Sequence, residues 1–327
     1  MECVTGLNMM AGSLVHRGAH NARAAIIDLG TNTFNLLVYE RDEVRGLRII
    51  HSEERPVFLG RGGIEKGIIA GDAMERGMST LAVFKSIAVE HGAVRINGFG
   101  TSALRNARNA AAFVDRAKHD LDIYISVIPG EAEAELILAG VRQAVMLTGK
   151  PALVMDIGGG SIEFILATDK ALMWKRSFEL GATRLRERIP ISDPISVEEE
   201  ARIAAHLDDR LEPLYAIIDR HEPHVLIGSA GSFDSLAAMI AAERSLPIAR
   251  DQRDMVYTSL EFDALKERLL RMDRATRQRQ PGLPEYRVDT LPYALIAIDR
   301  VLTAGGIRDM HWSRYALKEG AAVSITN

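Results

Sequence analysis

The stretch VMDIGGGSIEFIL, Val154–Leu166, sets one acid and three consecutive glycines inside an otherwise apolar run. Apolar residues on both sides of a glycine turn read as strand, tight turn, strand, which is a β-hairpin. The chain carries the same pattern earlier. With Asp28 placed under Asp156, DLGTNTFNLLVYE lies beside DIGGGSIEFILAT, pairing Asp28 with Asp156, Gly30 with Gly158 and Thr33 with Ser161. Each copy follows an apolar strand, AAII before the first and PALVM before the second. Two hairpins in matching register predict two similar half-molecules facing each other across a cleft.

Glycines in such turns suit anion binding. Without Cβ the backbone takes φ > 0 and aims successive N–H groups at one anion. Gly30, Thr31, Asn32 and Thr33 in the first turn, and Gly158, Gly159, Gly160 and Ser161 in the second, are therefore the candidate phosphate binders. An aspartate at a strand end holds Mg²⁺ well, because that ion prefers oxygen ligands beside substrate phosphates. The plain alternative is two hairpins whose Asp and Gly serve turn chemistry alone. A third glycine turn, LIGSAGS, follows HVLIG and precedes a helical stretch, adding Gly228 and Ser229 as candidates at a helix N-terminus. The paired motif is neither a Walker loop nor a Rossmann fingerprint, since no Lys-Ser or Lys-Thr follows its glycines and they lead into a strand rather than a helix.

The gross composition agrees with a globular protein. The chain has 327 residues, 47% hydrophobic and 26% charged, enough for one large or two medium domains. Its 40 basic and 44 acidic residues give a formal net charge of −4, which argues against general binding to nucleic acid or anionic membranes. No apolar run approaches the ~18 residues of a membrane span. The opening residues lack a secretory apolar core, so 1–23 read as a flexible leader and the chain as cytoplasmic. Cys3, the single cysteine, falls in that leader and excludes a disulfide framework.

The three turns together resemble the actin, sugar-kinase and heat-shock-chaperone ATPase superfamily. Within it, the closer resemblance is to the exopolyphosphatase/guanosine pentaphosphate phosphohydrolase family. It rests on five blocks in order: IDLGTNTFNLLV, GTSALRNARNAAAFVDR, IPGEAEAELILAGV, VMDIGGGSIEF and IGSAGS. The resemblance implies two actin-like (ribonuclease H-like) α/β domains flanking a central cleft, in a short form without the family's C-terminal helical extension. It also implies a Mg²⁺- or Mn²⁺-dependent phosphohydrolase, and a homodimer. The implied substrates are inorganic polyphosphate, losing its terminal phosphate, or guanosine pentaphosphate, losing its 5′ γ-phosphate. There are departures. Thr31-Asn32-Thr33 stands where the family usually has Ser-Asn-Ser, Ala132 breaks a usual pair of glutamates, and Glu135 replaces a common arginine.

The segment from Glu131 to Leu147 reads as a helix with its apolar stripe at Leu136, Ile137, Gly140, Val141 and Ala144. At about 100° per residue Glu133 falls in the middle of that stripe, while Glu131 and Glu135 fall opposite. An acid on an apolar face has a raised pKa unless paired, which suits a general base. The resemblance separately points to Glu133 as the catalytic glutamate. Arg105, in TSALRNARN, is the expected positive partner for phosphate oxygens. Asp156, Glu163 and Asp28 are the expected metal ligands, Glu163 because it lies two residues beyond Ser161 on the same strand face. The run RMDRATRQRQPGLPEYR, with five arginines, is a further candidate grip on a phosphate chain.

Strands are expected at 24–29, 33–40, 46–52, 94–99, 122–128, 151–157, 161–167, 171–178, 224–228 and 308–311. Helices are expected at 71–91, 106–119, 131–148, 196–220, 232–243, 259–272 and 290–304. The turn at Thr148-Gly149-Lys150-Pro151 divides the chain into domains 24–148 and 149–327. Two other functions fit the scaffold: a sugar or small-molecule kinase, and a non-catalytic binder of phosphorylated signals.

Overall fold

The computed structural model describes residues 22–42 and 46–325; the leader expectation and Cys3 fall on residues outside them. The chain opens with β1 (Arg23–Leu29), β2 (Thr33–Asp42) and β3 (Gly46–Pro56). Next come α1 (Gly71–Glu90), β4 (Ala93–Gly100), α2 (Ser102–Asn106), α3 (Ala110–Leu121), β5 (Tyr124–Val127) and α4 (Gly130–Ala144). The second half restarts with β6 (Ala152–Ile157), β7 (Ile162–Ala167) and β8 (Leu172–Phe178), then α5 (Ala182–Arg188), α6 (Val197–His221), β9 (Val225–Ser229) and α7 (Ala230–Glu243). It closes with β10 (Asp254–Thr258), α8 (Ser259–Arg271), α9 (Arg274–Gln278), α10 (Leu291–Gly305), β11 (Asp309–Ser313) and α11 (Leu317–Ser324).

The strands form two sheets, one of five strands in the order β3-β2-β1-β4-β5 and one of six in the order β10-β11-β9-β6-β7-β8. In the first, β1 pairs antiparallel with β2 and parallel with β4. In the second, β6 pairs antiparallel with β7 and parallel with β9. The repeated hairpin is thus the centre of each sheet, and the second sheet copies the first with β10 added at its edge. This is the two-lobed actin-like α/β plan. Every residue of β6 and β7 is buried, including Asp156 and Glu163, because both faces of these strands are covered.

The strands divide at Thr148–Pro151, but the helices do not respect that division. α4 packs its Ile137 and Val141 with Val154, Ile165 and Ile227 of the second sheet. α11, at the other end of the chain, packs Ala321 and Ala322 with Ile26 and Leu37 of the first. The two helices lie against each other between the sheets.

Several elements differ from the sequence expectation. The helix expected at 106–119 is α3, which begins at Ala110, after Asn109 has turned its side-chain amide to both the N–H and the carbonyl of Ile69, at 2.8 and 2.9 Å, and runs to Leu121. Those two bonds tie the start of α3 to the segment just before α1. The helix expected to reach 148 stops at Ala144, where Val145 turns extended. α2, α5, β10, α9 and α11 have no counterpart in the expectation.

Candidate active site

The two hairpin turns close with the same bond. Gly30 N–H donates to the Thr33 carbonyl at 3.0 Å, and Gly158 N–H donates to the Ser161 carbonyl at 3.0 Å. The amides of Thr31, Asn32, Gly159, Gly160 and Ser161 have no protein acceptor among the described residues. All five residues line one cleft between the lobes, of about 140 Å³.

The reason for the glycines differs from the one expected. Gly30, Gly158, Gly159 and Gly160 all lack the positive φ of a left-handed nest. What they supply is room. A Cβ on Gly159 would sit 2.7 Å from the Asn32 side chain, and one on Gly160 would sit 2.5 Å from Ser102 Oγ and 2.7 Å from Thr31 Oγ1. The hairpins touch each other, and triple glycine lets them. Thr183 Oγ1 adds a bond across the lobes to Asn32 Oδ1 at 2.6 Å. Arg184, 9% exposed, binds the Gly160 carbonyl at 2.9 Å and Glu179 at 2.6 Å. Sequence reasoning missed Ser102, Glu179, Thr183 and Arg184, because their only signal is proximity across the cleft.

The third turn is corrected more sharply. Gly228 lies inside β9, where a Cβ would fall 1.9 Å from the Phe233 ring, so it accommodates packing and does not face the cleft. Ser229 is fully buried and donates its hydroxyl to Asp156 at 2.6 Å. α7 begins at once, and the cleft wall here is Ala230, Gly231 and Ser232.

Glu133 stands where its place on the apolar stripe predicts: it is buried at the first turn of α4, while Glu131 and Glu135 are exposed. Arg105, at the end of α2, donates from Nη1 to Glu133 Oε2 at 2.8 Å. Its Nη2 is buried without a hydrogen-bond partner among the described residues, 3.5 Å from Glu179 and 4.0 Å from Glu163. Glu163 is 1% exposed and accepts from Ser177 at 2.6 Å.

Burial raises the carboxyl pKa values here. Burial lifts Asp156 to about 6 against the Ser229 hydroxyl, and lifts Asp28 to about 7 against the nearby Lys318. Glu133 and Glu163 are pushed above the usual range by burial first, and Glu163 also by the charges of Glu133 and Asp156. Asp156 and Glu163 are directly opposed across β6 and β7. Asp28 holds the matching place on β1, opposite Asn35, which donates to it at 3.3 Å.

Asp28, Asp156 and Glu163 do not converge as one set: among the described residues, no group of three His, Cys, Asp or Glu side chains is arranged to hold a metal ion. Lys318, carried into the cleft by α11, was missed, as was Asp234, which accepts from Trp312 at 2.8 Å. The arginine run is mostly spent on ion pairs. Arg274 meets Asp289, Arg277 meets Asp193 and Arg271 meets Glu267, so Arg287 is the member of the run that lines the cleft.

The sequence pattern of the Ppx/GppA phosphatase family matches residues 37–327. The chain belongs to that family. Exopolyphosphatase 2 of Mycobacterium tuberculosis is 28% identical over 315 residues, covering 93% of this chain and 98% of that protein. The crystal structure of an exopolyphosphatase from Cytophaga hutchinsonii is similar at a TM-score of 0.89 and 38% identity, over 92% of this chain and 96% of that one. The Aquifex aeolicus member of the Ppx/GppA family, at 23% identity, shares the fold with a TM-score of 0.77 over 93% of this chain and 97% of that one. No helix among the described residues is long and apolar enough to cross a membrane.

Proposed function

We propose that this Ppx/GppA-family chain releases the terminal phosphate of inorganic polyphosphate by direct attack of water. The observation that carries the reading is Glu133, a buried carboxylate facing a cleft whose two hairpins offer unpaired amides. Ionised Glu133 takes a proton from a water in line with the terminal phosphorus, a general-base role that depends first on geometry. The new P–O bond forms as the bridging P–O bond breaks, and the chain leaves one phosphate shorter. Amides of Thr31, Asn32, Gly159, Gly160 and Ser161 hold the terminal oxygens, and positioning with electrostatics does most of the work in phosphoryl transfer. Arg105 fixes Glu133 and keeps a free donor for the phosphate.

The acids fit a hard cation that retains its own waters and binds beside substrate phosphate, as Mg²⁺ and Mn²⁺ do. Asp156 and Glu163 are buried carboxylates in excess of the neighbouring positive charge, and Asp28 faces the same cleft. Asp156 and Glu163 would hold that ion, which supplies positive charge to the phosphate oxygens.

Exopolyphosphatase names among the relatives support polyphosphate as the substrate over guanosine pentaphosphate. Phosphate release from purified protein, with polyphosphate and the pentaphosphate compared side by side, tests the reading. Wild type is expected to release phosphate from polyphosphate, and Glu133→Gln to lose about 10²–10⁴-fold while still binding it. Equal inertness of wild type and variant, with both binding, would replace the enzyme by a phosphate binder. ADP production that depends on an added acceptor would replace it by a kinase.

A further inference from the structure

The central rows of the two sheets end differently. In the second sheet the row runs Asp156, Glu163, Ser177 across β6, β7 and β8. In the first it runs Asp28, Asn35, Glu54 across β1, β2 and β3. Glu54 therefore places a third-strand carboxylate on the cleft wall, where the other lobe has a small hydroxyl. That carboxylate is engaged from the opposite lobe. Arg287 Nη2 donates to Glu54 Oε1 at 2.6 Å, and the Tyr286 hydroxyl donates to the same oxygen at 2.9 Å. Arg287 is itself fixed, its Nη1 donating to the Gly231 carbonyl and, at 3.2 Å, to Ser235 Oγ. Its side chain is 13% exposed, and Glu54, Tyr286 and Arg287 all line the same cleft as the hairpins.

A carboxylate and a phosphate offer a guanidinium fork similar pairs of oxygens. We infer that Glu54 is a specificity-determining residue: an internal anion that occupies the Arg287–Tyr286 position, which a bound phosphate chain has to take from it. This rests on the reading of the cleft as a polyphosphate site and names the residue that sets its threshold. A chain that reaches past the hairpins meets Arg287 only by displacing Glu54, and the displaced acid repels the incoming polyanion. Short chains, with few contacts to offset that repulsion, are penalised most. The same contact joins the lobes, so displacement also loosens the cleft on that side.

Titration calorimetry with tripolyphosphate in a Glu133→Gln background tests this, because binding is then read without turnover. Glu54→Gln keeps the size and an acceptor oxygen but removes the charge, and is expected to tighten Kd about tenfold. Adding Arg287→Ala to that variant is expected to abolish the gain. Glu54→Ser, which puts in the first sheet the small hydroxyl that Ser177 holds at the matching place of the second, removes the charge and leaves both donors, and is also expected to tighten Kd about tenfold. It decides the matter if the Gln variant does not fold. Unchanged or weaker binding in a variant with wild-type Tm overturns the inference, even where wild type binds and hydrolyses normally. Wild type that neither binds tripolyphosphate nor releases phosphate overturns the polyphosphate reading, and this inference with it.

Discussion

Adding one methyl group at Gly160 tests whether the hairpins work by touching. The new Cβ of Gly160→Ala would meet Ser102 Oγ at 2.5 Å, Thr31 Oγ1 at 2.7 Å and Ser102 Cβ at 2.9 Å. Rotating the two hydroxyls relieves the first two contacts. The third involves an atom fixed to the backbone of α2, and ordinary contact begins at 3.4 Å. The second hairpin or α2 must therefore retreat by about 0.5 Å, an overpacking that costs about 1–3 kcal/mol. Gly160 has no positive φ, so backbone strain adds nothing. A misplacement of 1 Å costs up to ~10²-fold in rate, so half of that predicts about a tenfold loss in kcat/KM. Steady-state phosphate release measures it, with Gly149→Ala as the control, since a Cβ there has nothing within 4 Å. Kinetics for Gly160→Ala within twofold of wild type, or an equal loss in Gly149→Ala, would refute the contact as the reason for the glycines.

Three further substitutions probe the acids. Asp28 has its folded pKa raised from 3.8 to about 7, chiefly by burial, so the stability it contributes is complete below about pH 4 and lost as pH rises through 7. The Tm of Asp28→Asn relative to wild type should therefore climb between those limits and level off above them; a difference that shrinks with pH contradicts the assignment. Ser229→Ala removes the hydroxyl donor 2.6 Å from Asp156, which should lower stability by about 1–3 kcal/mol and move the acidic limb of the pH–rate profile to higher pH. Arg105→Lys loses the fork whose Nη1 lies 2.8 Å from Glu133 while Nη2 stays free, and should lower kcat by about 10–100-fold, the worth of a charge-assisted hydrogen bond of ~1.5–3 kcal/mol, without loss of fold by circular dichroism.

Much of this site is legible along the chain because it is local. The hairpin repeat is an alignment of two short segments, and the inward turn of Glu133 follows from helix periodicity within α4. The late start of α3 after Asn109 is different. Its side chain bonds to Ile69, forty positions away in sequence and on no shared element. Gly228 reads as a phosphate turn by its neighbours, but Phe233 fills the space in front of it. Arginines near Pro281-Gly282 look like a basic patch until Asp193 arrives from 84 positions away to pair with Arg277, while the neighbouring Glu267 and Asp289 take Arg271 and Arg274.

The sequence by itself determined the α/β class, the paired acid-glycine hairpins, the buried glutamate on α4 and the family resemblance, since each is carried by short runs of residues and their order along the chain. Only the tertiary structure decided why the glycines are needed, that Ser229 serves Asp156, and that Glu54 of one lobe holds Arg287 of the other. Those facts depend on atoms a few ångströms apart that belong to different strands or different lobes, and no period along the chain encodes such a distance.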